Sequence, residues 1–222
     1  ELRCLGEALN NPTHPFTAIV GGAKVSTKIG VLENLLDKVD NMIIGGGMAY
    51  TFVKANGGKI GNSICEDDQL ETAKAIEAKA KEKGVKLVLA TDVLVTDDFS
   101  GNGTNKVVDV KNIPDGFEGV DAGPETQKAF RDVILSSKTI LMNGPVGAFE
   151  NPKFAEGTKA VLKAVVEATK NGATSVIGGG DSVSAAKKFQ KAEEFTHVST
   201  GGGASLEFIE GKVLPGVDAL DD

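Results

Sequence analysis

Five groups of residues carry the chemistry that this sequence can be read for: glycine clusters, a lysine pair, an Asp-Ser pair, one glutamate and two histidines. Gly21–Gly22, Gly45–Gly47, Gly178–Gly180 and Gly201–Gly203 each close a short apolar run and open a segment of helical period. Glycine at such a junction lets backbone approach a ligand. The helix that follows offers unpaired N–H groups and a positive dipole end to phosphate. Tight strand-to-helix turns use glycine as well, so one cluster decides little; four at equivalent positions favour a ligand. Lys24 and Lys28 lie four apart just beyond Gly21–Gly22, and the spacing predicts both on one face of a first helical turn. Positive charge there is disfavoured by the helix dipole and points to a counter-anion, against the plainer reading of two solvated lysines. Asp181-Ser182 fits an ordinary N-cap or an oxygen ligand for Mg²⁺ beside phosphate, and spacing does not separate the two. Glu150 fits a helix-start carboxylate or a partner for ribose hydroxyls. His14 and His197 each stand alone, outside any nucleophilic or metal-binding pattern, and read as packed or surface histidines.

Several chemistries are excluded. Neither G-x-x-x-x-G-K-[ST] nor G-x-G-x-x-G occurs, so the P-loop and the dinucleotide fingerprint are missing. Two cysteines, Cys4 and Cys65, are too few for a disulfide framework or zinc site and suit a reducing compartment. A net charge of −7 argues against a nucleic-acid footprint, and no apolar run reaches membrane-spanning length. Arginine is scarce: only Arg3 and Arg131 among 24 basic residues. A small, highly anionic substrate is usually gripped by guanidinium forks, so most of such a site would lie off this chain.

The elements that must position these residues alternate. Apolar runs predict strands at Phe16–Val20, Asn41–Ile44, Lys86–Val95 (interrupted near Thr91–Asp92), Thr139–Met142, Ser175–Ile177 and Thr196–Ser199. Helical periodicity predicts helices over 25–39, from Met48 to Ala55, over 67–84, and at Glu125–Leu135, Asn151–Lys170, Asp181–Gln190 and Ala204–Glu210. Residues 97–124, rich in glycine and proline, yield only a short strand near Val107–Val110. The expectation is one α/β domain: a three-layer, doubly wound, Rossmann-like fold around a six-stranded, mainly parallel sheet. Its ligands would bind at the carboxyl ends of the strands.

Five stretches carry a resemblance: VGGAKVSTKI, IIGGGMAYTF, NGPVGAFE, VIGGGDSVSA and VSTGGGASLEFIEGKVLPGVDAL. Together they are similar, in order and along residues 1–222, to the C-terminal, nucleotide-binding domain of phosphoglycerate kinases. The resemblance implies reversible phosphoryl transfer between 1,3-bisphosphoglycerate and ADP, giving 3-phosphoglycerate and ATP, with Mg²⁺ on the nucleotide. It assigns Lys24 to the phosphoryl group in transit and Lys28 to the nucleotide phosphates. Gly22, Ala23, Gly46 and Gly119 match the surroundings of adenine and its sugar. Asn143, Pro145 and Ala148 match another wall, and Glu150 the ribose carboxylate. Gly179, Gly180, Asp181 and Ser182 match the phosphate loop, with Asp181 at the metal, and Gly203 the loop that approaches the transferred group.

Two departures stand out. Met142 occupies a position where the family commonly has Trp, and Ala148 one where Val is usual, which would widen the adenine pocket slightly. The resemblance further implies that residues 1–12 belong to a connecting helix and 211–222 to a C-terminal tail. The phosphoglycerate-binding N-terminal domain would be absent, so this chain would bind nucleotide without turning over. A monomer in the cytoplasm, or in a plastid stroma, is implied too, with no nucleic-acid or membrane partner. A non-catalytic nucleotide-binding or interaction module that reuses the domain is the competing reading.

Overall fold

The computed structural model describes residues 11–199. Gly203, the expected helix Ala204–Glu210 and the expected tail lie outside them, as do residues 1–10; Asn11 and Pro12 of the expected connecting helix are described and are not helical. The strands in chain order are β1 (Phe16–Val20), β2 (Asn41–Ile44), β3 (Lys59–Ile60), β4 (Lys86–Val88), β5 (Asp92–Thr96), β6 (Asn105–Asp109), β7 (Asn112–Ile113), β8 (Glu118–Ala122), β9 (Thr139–Asn143), β10 (Thr174–Gly178) and β11 (His197–Val198). The helices are α1 (Ile29–Leu36), α2 (Met48–Ala55), α3 (Leu70–Lys83), α4 (Pro124–Leu135), α5 (Glu156–Lys170) and α6 (Gly180–Phe189).

Six strands form one sheet in the order β11-β10-β9-β1-β2-β4, and every pairing in it is parallel. β1 sits at the centre because all five of its residues are buried, a composition only a strand covered on both faces tolerates. Alternation along it divides the core. Phe16, Ala18 and Val20 pack with α1, α2 and α3 on one face, whereas Ile19 packs with α4, α5 and α6 on the other. The three-layer, doubly wound expectation holds. The chain order changes direction between β1 and β9, and this switch point is where such sheets open a crevice.

Two regions differ from the sequence reading. The run Lys86–Val95 is split: Lys86–Val88 joins the main sheet, while β5 leaves it for a three-stranded antiparallel sheet, β6-β5-β8. The segment at 97–124 is therefore structured. It builds β6, β7 and β8, with a third apolar cluster of Tyr50, Val53, Ile60, Val93, Val95, Val110 and Ile113 beneath it. Periodicity failed there because β6 is largely exposed and its neighbours are two and five residues long.

Helix starts also shift. α1 begins at Ile29, not Val25, because Thr27 spends its hydroxyl on the Lys24 carbonyl (3.0 Å) and Ser26 bonds to Glu66. Lys24 thus lies in a loop and Lys28 at the N-cap, so the shared-face expectation fails. The long helix expected from Asn151 opens instead with a 3₁₀ turn, Pro152–Phe154, capped by Asn151, and becomes α-helical at Glu156.

Candidate functional site

The loops that leave β1 and β9 meet at the switch point. Gly21 donates its N–H to the Asn143 carbonyl at 2.9 Å. A Cβ on Gly21 would stand 2.0 Å from the Pro145 oxygen, and one on Gly144 2.2 Å from the Gly21 oxygen. A side chain at either position would force the loops apart; the two backbones are in direct contact. Two clefts adjoin it: Pro145 borders both, and Gly21 and Gly144 line one.

The first cleft is lined by Gly22, Ala23, Gly46, Gly47, Tyr50, Ile64, Phe99, Gly119, Val120, Pro145, Val146, Gly147, Ala148, Glu150 and Asp181. Its walls are mostly apolar, and Ile64 and Phe99 keep 56% and 60% of their surface exposed at its edge. Large exposed apolar side chains flanking a concave surface suit a flat, partly apolar ring system. Gly119 is required here by Tyr50, whose ring carbon would lie 2.3 Å from any Cβ.

The second cleft is lined by Gly21, Gly22, Ala23, Thr27, Lys28, Gly144, Pro145, Gly179, Gly180, Asp181 and Ser182. Gly22, Ala23, Pro145 and Asp181 border both clefts, so one elongated ligand would span them. The N-terminus of α6 opens on this second cleft. Its N-cap is Gly179, with no side-chain cap, and its first-turn N–H groups have no acceptor within the helix. Lys28 adds positive charge: its ammonium donates to Asn143 Oδ1, and Asn143 is 1% exposed with a partnerless Nδ2. An anionic group is the natural occupant.

The ambiguous residues now resolve locally. Asp181 does not cap α6; it is an exposed carboxylate in the first turn, bordering both clefts. Ser182 is fully buried and accepts the Gly144 N–H, pinning α6 to the β9 loop. Glu150 lines the first cleft, while the cap it was a candidate for is supplied by Asn151. His14 is exposed and pairs with Asp40 at 2.6 Å, away from both clefts. Lys24 is exposed and lines neither cleft, and Gly203 lies outside the described residues.

Sequence reasoning missed Tyr50, Ile64, Phe99 and Val120, which complete the apolar walls. Phe99, an aromatic stranded among turn residues, was the one visible signal. It also missed Asp121, next to Val120 and 2% exposed. Burial pushes its carboxyl up to about 7, although Gly157 and Ala122 donate N–H groups to it at 2.8 and 2.9 Å. Burial, with the nearby Asp121 and Glu118 charges, raises the Tyr50 hydroxyl as well.

Comparison with known proteins agrees with the geometry. The family model for phosphoglycerate kinase matches residues 1–212. The phosphoglycerate kinase of Coxiella burnetii is 44% identical, with a TM-score of 0.93 over 99% of this chain and 56% of that one. That of Pyrococcus horikoshii OT3 is 28% identical, with a TM-score of 0.75 over 99% of this chain and 55% of that one. The chain thus spans a little over half the length of these relatives. With a family match along nearly its whole length and a switch-point crevice shaped for an elongated anionic ligand, this chain belongs to the phosphoglycerate kinase family.

Proposed function

We propose that this chain is the ATP- and ADP-binding half of a phosphoglycerate kinase. In that reaction the phosphoryl group of 1,3-bisphosphoglycerate passes reversibly to ADP, leaving 3-phosphoglycerate and ATP. The observation that carries this reading is the continuity of the two clefts: an apolar one for a base and a helix-N-terminal, lysine-lined one for phosphates, joined through Gly22, Ala23, Pro145 and Asp181. In this reading adenine lies between Gly46, Gly119 and Ala148, and Glu150 takes ribose hydroxyls. The phosphates reach the N–H groups of Gly179–Ser182 and the Lys28 ammonium, which Asn143 orients.

Phosphoryl transfer asks a protein for position and positive charge more than for covalent help. Lys28 and the α6 N-terminus supply that charge on the nucleotide side. The exposed Lys24 is assigned to the phosphoryl group in transit, and Gly203 to the same group. The donor set suits Mg²⁺ carried by the nucleotide: the Asp181 carboxylate borders both clefts, and no group of three or more His, Cys, Asp or Glu side chains among the described residues forms a metal cage. Asp181 would hold that ion together with the phosphates, and the ion would neutralise charge on their oxygens. Bisphosphoglycerate would be held by protein beyond this chain, in keeping with its two arginines. No helix among the described residues is long and apolar enough to cross a membrane.

The test is calorimetric titration of the 222-residue chain with ADP and ATP, alongside a coupled turnover assay. The expected result is nucleotide binding without phosphoglycerate kinase turnover. No binding of either nucleotide overturns the reading; turnover by this chain alone overturns the assignment of the acceptor site elsewhere.

A further inference from the structure

The loop that carries both lysines, residues 21–28, is fixed at its ends by the Gly21 N–H to the Asn143 carbonyl, the Met48 N–H to the Gly22 carbonyl and the Lys28 ammonium to Asn143, and between them by a carboxylate 40 residues from Ser26. The Ser26 N–H donates to Glu66 Oε1 at 3.1 Å, and the Ser26 hydroxyl to Glu66 Oε2 at 2.5 Å. Glu66 is itself anchored, because its N–H donates to Thr51 Oγ1 at 3.2 Å, and Thr51 is fully buried on α2. Two residues before Glu66, Ile64 walls the apolar cleft; two residues after Ser26, Lys28 lines the phosphate cleft.

We propose that Glu66 is a positioning residue: its carboxylate ties the lysine loop to the base-side loop, so that nucleotide phosphates meet Lys28 already in place. The inference rests on the nucleotide reading above and deepens it. Without that tie, the middle of the loop would have to be ordered at the moment of binding, and the lost conformational freedom would weaken the affinity. The carboxylate stays charged in this role. Burial raises its pKa, yet the bonds from Ser26 and the N–H of Val25, with Lys24 nearby, outweigh burial and hold it below the ordinary range.

A negative charge beside a phosphate site works against anion binding. Positioning and simple electrostatics therefore predict opposite signs when Glu66 is removed. Calorimetry on the 222-residue chain, with ADP and adenosine as probes, reads the difference. For Glu66→Ala the expected result is ADP binding weakened about fivefold with adenosine binding unchanged, the scale of one broken network contact. Ser26→Ala, which keeps the charge and alters an exposed residue, shows a smaller loss of the same kind, and the double variant is no weaker than Glu66→Ala. Tighter or unchanged ADP binding in Glu66→Ala overturns the proposal, as does equal weakening of both probes, which marks general loosening. If Glu66→Ala does not fold, Ser26→Ala decides alone: unchanged ADP binding overturns the tether. Failure of the unaltered chain to bind ADP overturns the nucleotide reading itself, a result distinct from any of these.

Discussion

Asp121 makes stability depend on pH in a direction opposite to most paired carboxylates. It is 2% exposed, and burial lifts its carboxyl to about 7 from an ordinary value of 3.8. The folded chain therefore binds more protons than the unfolded chain between those values, and the stability linked to this group falls as pH rises through them. With 3.8 for the unfolded state and about 7 for the folded one, the linked loss between pH 5 and pH 8 is roughly 2–3 kcal/mol, a large part of a typical domain's stability. The perturbation is Asp121→Asn, which removes the titration and keeps the shape. Urea denaturation of both proteins at pH 5, 6, 7 and 8 gives two curves of stability against pH. The unaltered chain should lose roughly 2–3 kcal/mol more than the variant across that range, whatever the constant offset between them. Glu156 and Tyr50 lie close enough to interact with Asp121 and remain in both proteins, so their effects largely cancel. Parallel curves would refute the reasoning, because they would mean that the carboxyl reaches solvent or gains a cationic partner.

Three further perturbations separate the parts of the site. Lys28→Ala removes a charge from the phosphate cleft and leaves buried Asn143 Oδ1 without that donor; ADP affinity should drop roughly 10- to 150-fold, the worth of one charge-assisted hydrogen bond, with adenosine affinity nearly unchanged, by calorimetry. Asp181→Asn should weaken Mg-ADP binding far more than metal-free ADP binding, and equal effects in titrations with and without Mg²⁺ would remove it from the metal. Gly21→Ala places a methyl 2.0 Å from the Pro145 oxygen and should cost about 1–3 kcal/mol in thermal or urea unfolding, with ADP binding impaired as the two loops part.

Much of this molecule was legible from its residues taken in order. Phe16–Val20 is continuous in apolar character because both faces of β1 are covered, and its bounds matched the structure. α2 and α4 followed from periodicity, and the strand-to-helix glycines marked the edge of the sheet at which the two clefts open. Helix starts were less legible. Val25–Lys28 has the composition of a first turn, but Glu66 competes for Ser26 from another loop, and no local pattern records that competitor.

The split of Lys86–Val95 has the same origin. Val88 and Val93 are both buried apolar residues, yet one faces the main sheet and the other a separate one, and the choice depends on what packs above them. Periodicity reports only whether a face is buried. Against what it is buried is a matter of strand order. The sequence by itself determined the class of fold and the alternation of elements. Only the tertiary structure decided that the loops after β1 and β9 touch, that Lys28 meets Asn143, and that Tyr50, Ile64 and Phe99 close around one cleft. The physical reason is range: a turn or a helical face is set by residues a few positions apart, whereas Lys28 and Asn143 are 115 apart and meet because the sheet places β9 beside β1.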